Sequence, residues 1–205
     1  MVDADILVRP VTPATWPDLA RLFEGRGGPK YCWCMAWRPM EDRASASADQ
    51  RKAALRQRME AGTPVGLIGY VAGEPAAWCS VGPRASFTRL RPDQDEAEPG
   101  VWSVTCFFVR RDHRRRDLSG KLLEAAIDYA RAHGARILEA YPVDPDSPSY
   151  RFMGFRSLYA RQGFTPVGRA GSRRHVVRRE LGNPAGFGPD DDARAAADPN
   201  AQAGA

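Results

Sequence analysis

Short apolar runs alternate along this chain with stretches in which apolar residues recur every three or four positions. Ile6-Leu7-Val8-Arg9-Pro10-Val11 reads as a strand, and Thr12-Pro13 opens a helix carrying Trp16, Leu19, Ala20, Leu22 and Phe23 at helical spacing. Gly25, Gly27 and Gly28 end it. Residues 41–61 predict a polar second helix whose packed side holds Ala54, Leu55, Arg58 and Met59. Residues 65–71 and 76–81 predict two strands joined by the turn Ala72-Gly73-Glu74-Pro75, a hairpin and hence an antiparallel section of sheet. A charged loop spans 83–100, and a strand follows over 101–109. Leu118, Leu122, Leu123, Ala126, Ile127 and Ala130 make a helical stripe closed by His133-Gly134. A strand over 136–141 stops at Pro142, a helix is predicted over 148–162 up to Gly163, and two strands follow around 165–169 and 175–181. The pattern predicts a single domain over residues 1–182, a mixed α/β sheet with helices on its faces. From 183 to 205 the composition is Gly, Pro, Ala and Asp, which predicts a disordered acidic tail.

Composition narrows the class. With 205 residues the chain can bury a real core. No apolar run approaches the roughly 18 residues that span a bilayer, and Met1-Val2-Asp3-Ala4-Asp5 lacks the character of a signal peptide. A cytoplasmic protein with no membrane partner is expected. Four cysteines, Cys32, Cys34, Cys79 and Cys106, are too scattered for a disulfide scaffold. The Cys-Trp-Cys spacing lacks the second half that a structural zinc needs, so no metal is expected. Tyr31, Trp33, Met35 and Trp37 around it form either a wall for a substrate amine or a plug for the core. The formal net charge of +5 is concentrated in residues 110–116 and 169–179. Neither place offers a helix-turn-helix or an interleaved aromatic platform, which disfavours nucleic acid as the partner.

The candidate chemistry lies where the strand over 101–109 meets the following helix. Arg110, Arg111, Arg114, Arg115 and Arg116, with His113, crowd a helix start that already presents unpaired amides and a positive dipole end. Such a cluster calls for an anion, and phosphate suits it; a solvated basic loop is the other reading. The segment Arg114-Arg115-Arg116-Asp117-Leu118-Ser119, followed by Gly120, resembles the acetyl-CoA-binding motif of the GNAT superfamily of N-acetyltransferases. Asp117 departs from that motif, standing where the family usually has glycine. Its expected role is to cap the helix, and repulsion of the phosphates is the other reading. Downstream, Leu158-Tyr159-Ala160-Arg161-Gln162-Gly163-Phe164 is similar to a second element of the family, Leu-Tyr-x3-Gly-Phe.

The resemblance implies a GNAT-like fold: a mixed, mostly antiparallel central sheet splayed at the cofactor site, with helices on both faces. It implies that the backbone of Phe107, Phe108 and Val109 pairs with the pantetheine arm of acetyl-CoA. The pyrophosphate would be held by Arg114, Arg115, Arg116, Asp117, Leu118, Ser119 and Gly120. Tyr159 would face the sulfur as the acid that protonates the departing thiolate, although a core tyrosine is the alternative. The family's glutamate on the 101–109 strand is absent; Glu139 and Asp144 are candidate stand-ins for the base, as is water. The implied activity is direct transfer of acetyl from acetyl-CoA to a primary amine, small-molecule or peptide, with a homodimer compatible. A non-catalytic acyl-CoA-sensing or protein-binding module on the same fold is the rival reading.

Overall fold

Seven strands form one sheet in the order β1-β2-β3-β4-β5-β7-β6. They are β1 (Ile6–Pro10), β2 (Leu67–Val71), β3 (Glu74–Pro83), β4 (Val101–Val109), β5 (Ile137–Ala140), β6 (Thr165–Ala170) and β7 (Arg174–Glu180). The computed structural model describes residues 6–90 and 98–182; the expected tail over 183–205 lies outside them. Every pairing is antiparallel except β4 with β5. The mixed, mostly antiparallel sheet expected from the resemblance is therefore what this chain forms.

Helices α1 (Trp16–Glu24) and α2 (Ala48–Glu60) cover one face, and α3 (Leu118–Ala132) and α4 (Arg156–Arg161) the other. Alternation along the strands divides their side chains between two cores. Trp16, Leu19, Phe23, Leu55 and Met59 pack on Ile68, Tyr70 and Trp78. Leu122, Leu123, Ala126, Ile127 and Ala130 pack on Ala77, Cys79, Val81, Val104 and Leu138. The second helix begins just after Ser47, later than its polar run suggests. There Ser47 and Gln50 exchange side-chain and backbone hydrogen bonds in a reciprocal cap. Its packed side is Leu55 and Met59, flanked by Ala54 and Arg58, which are half-buried.

The helix predicted over 148–162 is corrected to the six residues of α4. Pro142, Pro145 and Pro148 supply no amide to a helix, Tyr150 takes a left-handed φ of 61°, Gly154 a φ of 85°, and Phe155 is extended. Residues 151–153 make only a single 3-10 turn beside β4, with Met153 buried. Among the described residues no helix is long and apolar enough to cross a membrane.

Candidate active site

The sheet opens between β4 and β5. Their pairing is limited to Val101↔Ile137 through Val104↔Ala140, and β5 ends there while β4 runs on to Val109. Phe107, Phe108 and Val109 pair with Cys79, Trp78 and Ala77 of β3, and no described strand pairs with them on the β5 side. A bulge marks the divergence. Ser80 faces Cys106 and Val81 faces Val104, so Thr105 has no partner on β3, and its hydroxyl donates to Ser80 Oγ at 2.9 Å. The free edge of β4 thus begins where its backbone has been re-aimed.

Beyond β4 the chain folds into the arginine loop. Arg110 pairs with Asp112 at 2.7 Å, and Arg114 Nε donates to the carbonyl of Val109 at 3.2 Å. Arg111, Arg115 and Arg116 are exposed and have no hydrogen-bond or ion-pair partner among the described residues. Arg115 and Asp117 both take left-handed backbone, φ 64° and 51°. Leu118, Ser119 and Gly120 then form the first turn of α3, whose amides point toward the loop. A cleft of about 1080 Å³ adjoins it, walled by Arg21 and Arg26 near the end of α1, Glu74 after β2, and Arg110, Arg111 and Arg114.

The expected cap is corrected here. Asp117 is the N-cap residue, yet its side chain makes no cap hydrogen bond. Its carboxylate lies back over Gly120, where an added Cβ would come within 2.6 Å of an oxygen, and reaches Arg161 at 3.7 Å. Left-handed backbone explains both facts, because it turns the side chain away from the geometry that lets an aspartate accept from the first-turn amides. Asp117 adopts a conformation that glycine takes freely, the residue type found there in the GNAT motif. Gly120 leaves the room that the displaced carboxylate fills.

Tyr159 is fully buried under the opening. Its hydroxyl donates to the carbonyl of Met153 at 2.7 Å, and its ring packs against Phe107 and Phe164. Burial, then Cys79 and Cys106 nearby, push the phenol well above its ordinary pKa, so it holds its proton at neutral pH. The carboxylates considered as bases are otherwise engaged. Glu139 is buried, accepts from Tyr141 Oη, and pairs with Arg178 at 2.8 Å and Arg84 at 3.5 Å. Asp144 accepts from His175 Nε2 at 2.8 Å and faces Arg156 at 3.7 Å. The aromatic segment divides: Trp33, Cys34 and Met35 are core, Trp37 is half-buried, and Tyr31 is exposed. Cys34 accepts from Trp78 Nε1 at 3.1 Å and lies beside Cys32 and Cys106. The neighbouring thiols, and then burial, raise both the Cys32 and Cys34 thiols, which disfavours the thiolate a nucleophile needs. Among the described residues no group of three or more His, Cys, Asp or Glu is placed to hold a metal ion.

Sequence reasoning missed the buried arginines Arg38 and Arg84. An isolated arginine outside any periodic element carries no signal of burial, because most arginines are exposed.

Residues 22–164 match the model of the acetyltransferase (GNAT) family, and the chain belongs to it. Solved structures of the same fold include an acetyltransferase from Thermus thermophilus, at 19% identity and TM-score 0.53, covering 88% of this chain and 99% of its own. PaiA N-acetyltransferase from Thermoplasma acidophilum, in complex with coenzyme A, aligns at 12% identity and TM-score 0.53 over 86% of this chain and 99% of its own. YncA from Salmonella typhimurium, with its cofactor acetyl-CoA, aligns at 19% identity and TM-score 0.52 over 88% of this chain and 96% of its own. No curated relative matches the sequence.

Proposed function

We propose that the protein is an N-acetyltransferase that moves acetyl from acetyl-CoA directly to a primary amine while both are bound. The observation that carries this reading is the edge of β4 over 105–109, which no described strand pairs on the β5 side, running into a loop where Arg111, Arg115 and Arg116 have no partner among the described residues, at the start of a 15-residue helix. An extended arm can add to that edge as a strand would, through the backbone of Phe107, Phe108 and Val109. The first-turn amides and Arg111, Arg115 and Arg116 offer the phosphates donors and charge. Two proteins of the same fold, PaiA and YncA, were solved with coenzyme A and acetyl-CoA, which agrees with this use of the site.

Acetyl-CoA supplies a thioester whose carbonyl carbon accepts the amine. As the new C–N bond forms and the C–S bond breaks, the nitrogen loses a proton and the sulfur needs one. Tyr159 is the residue beneath the opening that would give its phenolic proton to the thiolate, and at neutral pH that proton is present. With Glu139 neutralised by Arg84 and Arg178, the amine enters in its neutral form and sheds its proton to water. The engagement of Tyr159 Oη by Met153 favours one rival, a module that binds acyl-CoA without turning it over. Amine-dependent release of CoA decides between them: turnover with a panel of primary amines supports the enzyme, whereas tight acetyl-CoA binding with no turnover supports the sensor.

A further inference from the structure

We infer that the acceptor is a carboxylate-bearing amine, and that Arg38 and Arg174 hold its carboxylate beside Trp37. This rests on the acetyltransferase reading above and narrows its substrate. Arg38, in the segment that joins α1 to α2, is wholly buried. Its Nη2 donates to the Val65 carbonyl at 2.9 Å and approaches Ser80 Oγ at 3.5 Å, and its guanidinium lies 4.2 Å from the centre of the Phe87 ring. Its Nε and Nη1 have no hydrogen-bond partner, and no carboxylate of the described residues pairs with it. Burial lowers its pKa to about 9, so at neutral pH it remains a cation.

The same fold shows how a buried arginine is otherwise accommodated. Arg84 is given Glu139, the hydroxyl of Tyr141 and the carbonyl of Phe87. Arg38 is given no anion among the described residues, and an uncompensated buried charge is among the costliest features a core can carry. Two more buried donors lack acceptors close by, Trp37 Nε1 and Arg174 Nη1. The Arg174 guanidinium lies over the ring of Trp37 at 4.6 Å, and over Tyr150 and Tyr141 at 5.5 and 5.7 Å. Trp37, Tyr141, Tyr150 and Phe87 belong to one aromatic cluster, so the unsatisfied donors of Arg38, Trp37 and Arg174 border a common region.

Four donors without a hydrogen-bond partner call for an acceptor that carries negative charge, and a small oxyanion is one. A neutral or cationic group would add donors to donors, whereas a monoanionic carboxylate matches one fully buried cation and accepts several hydrogen bonds. The region also touches the reaction centre. Arg38 reaches Ser80, which accepts from Thr105, the bulged residue where β4 leaves β5.

Benzoate and its uncharged isostere benzamide test the assignment by calorimetry and thermal shift, without acetyl-CoA. Benzoate is expected to bind the wild-type protein at least about tenfold more tightly than benzamide, and to raise its melting temperature. Arg174→Gln, at a half-buried position, should lose most of that preference, and Arg38→Met all of it. Equal affinity for the two probes, or a benzoate preference unchanged in Arg174→Gln, overturns the inference. Should Arg38→Met fail to fold, the wild-type and Arg174→Gln comparison still decides. Because the titration needs no acetyl-CoA, failure of the acetyltransferase reading shows separately, as absent acetyl-CoA binding alongside intact benzoate binding.

Discussion

At Asp117 a single backbone torsion decides between two roles that the residue name leaves open. An aspartate just before a helix ordinarily caps it, and nothing in the sequence announces a φ of 51°. With the cap unmade, substitution by glycine relieves left-handed strain of about 1 kcal/mol and removes a negative charge from the mouth of the proposed phosphate site. Asp117→Gly is therefore expected to bind acetyl-CoA more tightly and to unfold no more easily in urea. A loss of more than about 1 kcal/mol would return the carboxylate to a capping role. At Tyr159 the motif identified the residue and the structure adds its partner. Tyr159→Phe should reduce kcat about a hundredfold while leaving the acetyl-CoA dissociation constant unchanged. Equal losses in kcat and in cofactor affinity would instead mark it as a core residue. Arg38 shows the opposite limit, since burial of an isolated arginine is a property of its surroundings and is written nowhere in the residue.

Elements with a strong period were legible: the stripe from Leu118 to Ala130 and the run over 101–109 appear where the pattern puts them. The first half of the helix read over 148–162 was not, because Tyr150 and Gly154 take positive φ and Phe155 is extended, which no helix tolerates. The position of the segment from Pro142 to Phe155 depends on single ties instead of a helical ladder, and one of them is the bond between Asp144 and His175 of β7. The hydrogen bond from His175 is the largest effect on the Asp144 carboxyl; desolvation opposes it, and with the smaller charge effects of His175 and Arg156 the carboxyl is held below its ordinary value. A carboxyl with a depressed folded-state pKa adds stability above its unfolded pKa, and that stability is lost as the pH falls through the folded one. Wild type should thus exceed Asp144→Asn in urea stability at about pH 6, and the gap should close at pH values below about 4. A gap that persists unchanged in acid would show that the tie is not ionic.

Across the whole molecule, one divergence in the sheet organises both the fold and the site. The parallel pair β4–β5 could be anticipated from the helix that joins them, but where they part depends on the Thr105 bulge and on β5 stopping at Ala140, which no local pattern specifies. The buried ion pairs at Glu139 bind this divergence together, linking β5 to Arg84 after β3 and to Arg178 on β7. Glu139→Gln leaves Arg84 buried without a counter-charge and is expected to cost roughly 3–5 kcal/mol in urea unfolding. A cost near zero would mean that water replaces the carboxylate.

On the function proposed above, the open edge of β4 and the arginine loop take acetyl-CoA. Calorimetric titration with acetyl-CoA at two salt concentrations, with Arg111→Ala/Arg116→Ala for comparison, tests this. Saturable binding of one acetyl-CoA per chain, weakened by salt and by the double substitution, is the predicted result. Absence of saturable binding at either salt concentration would contradict it.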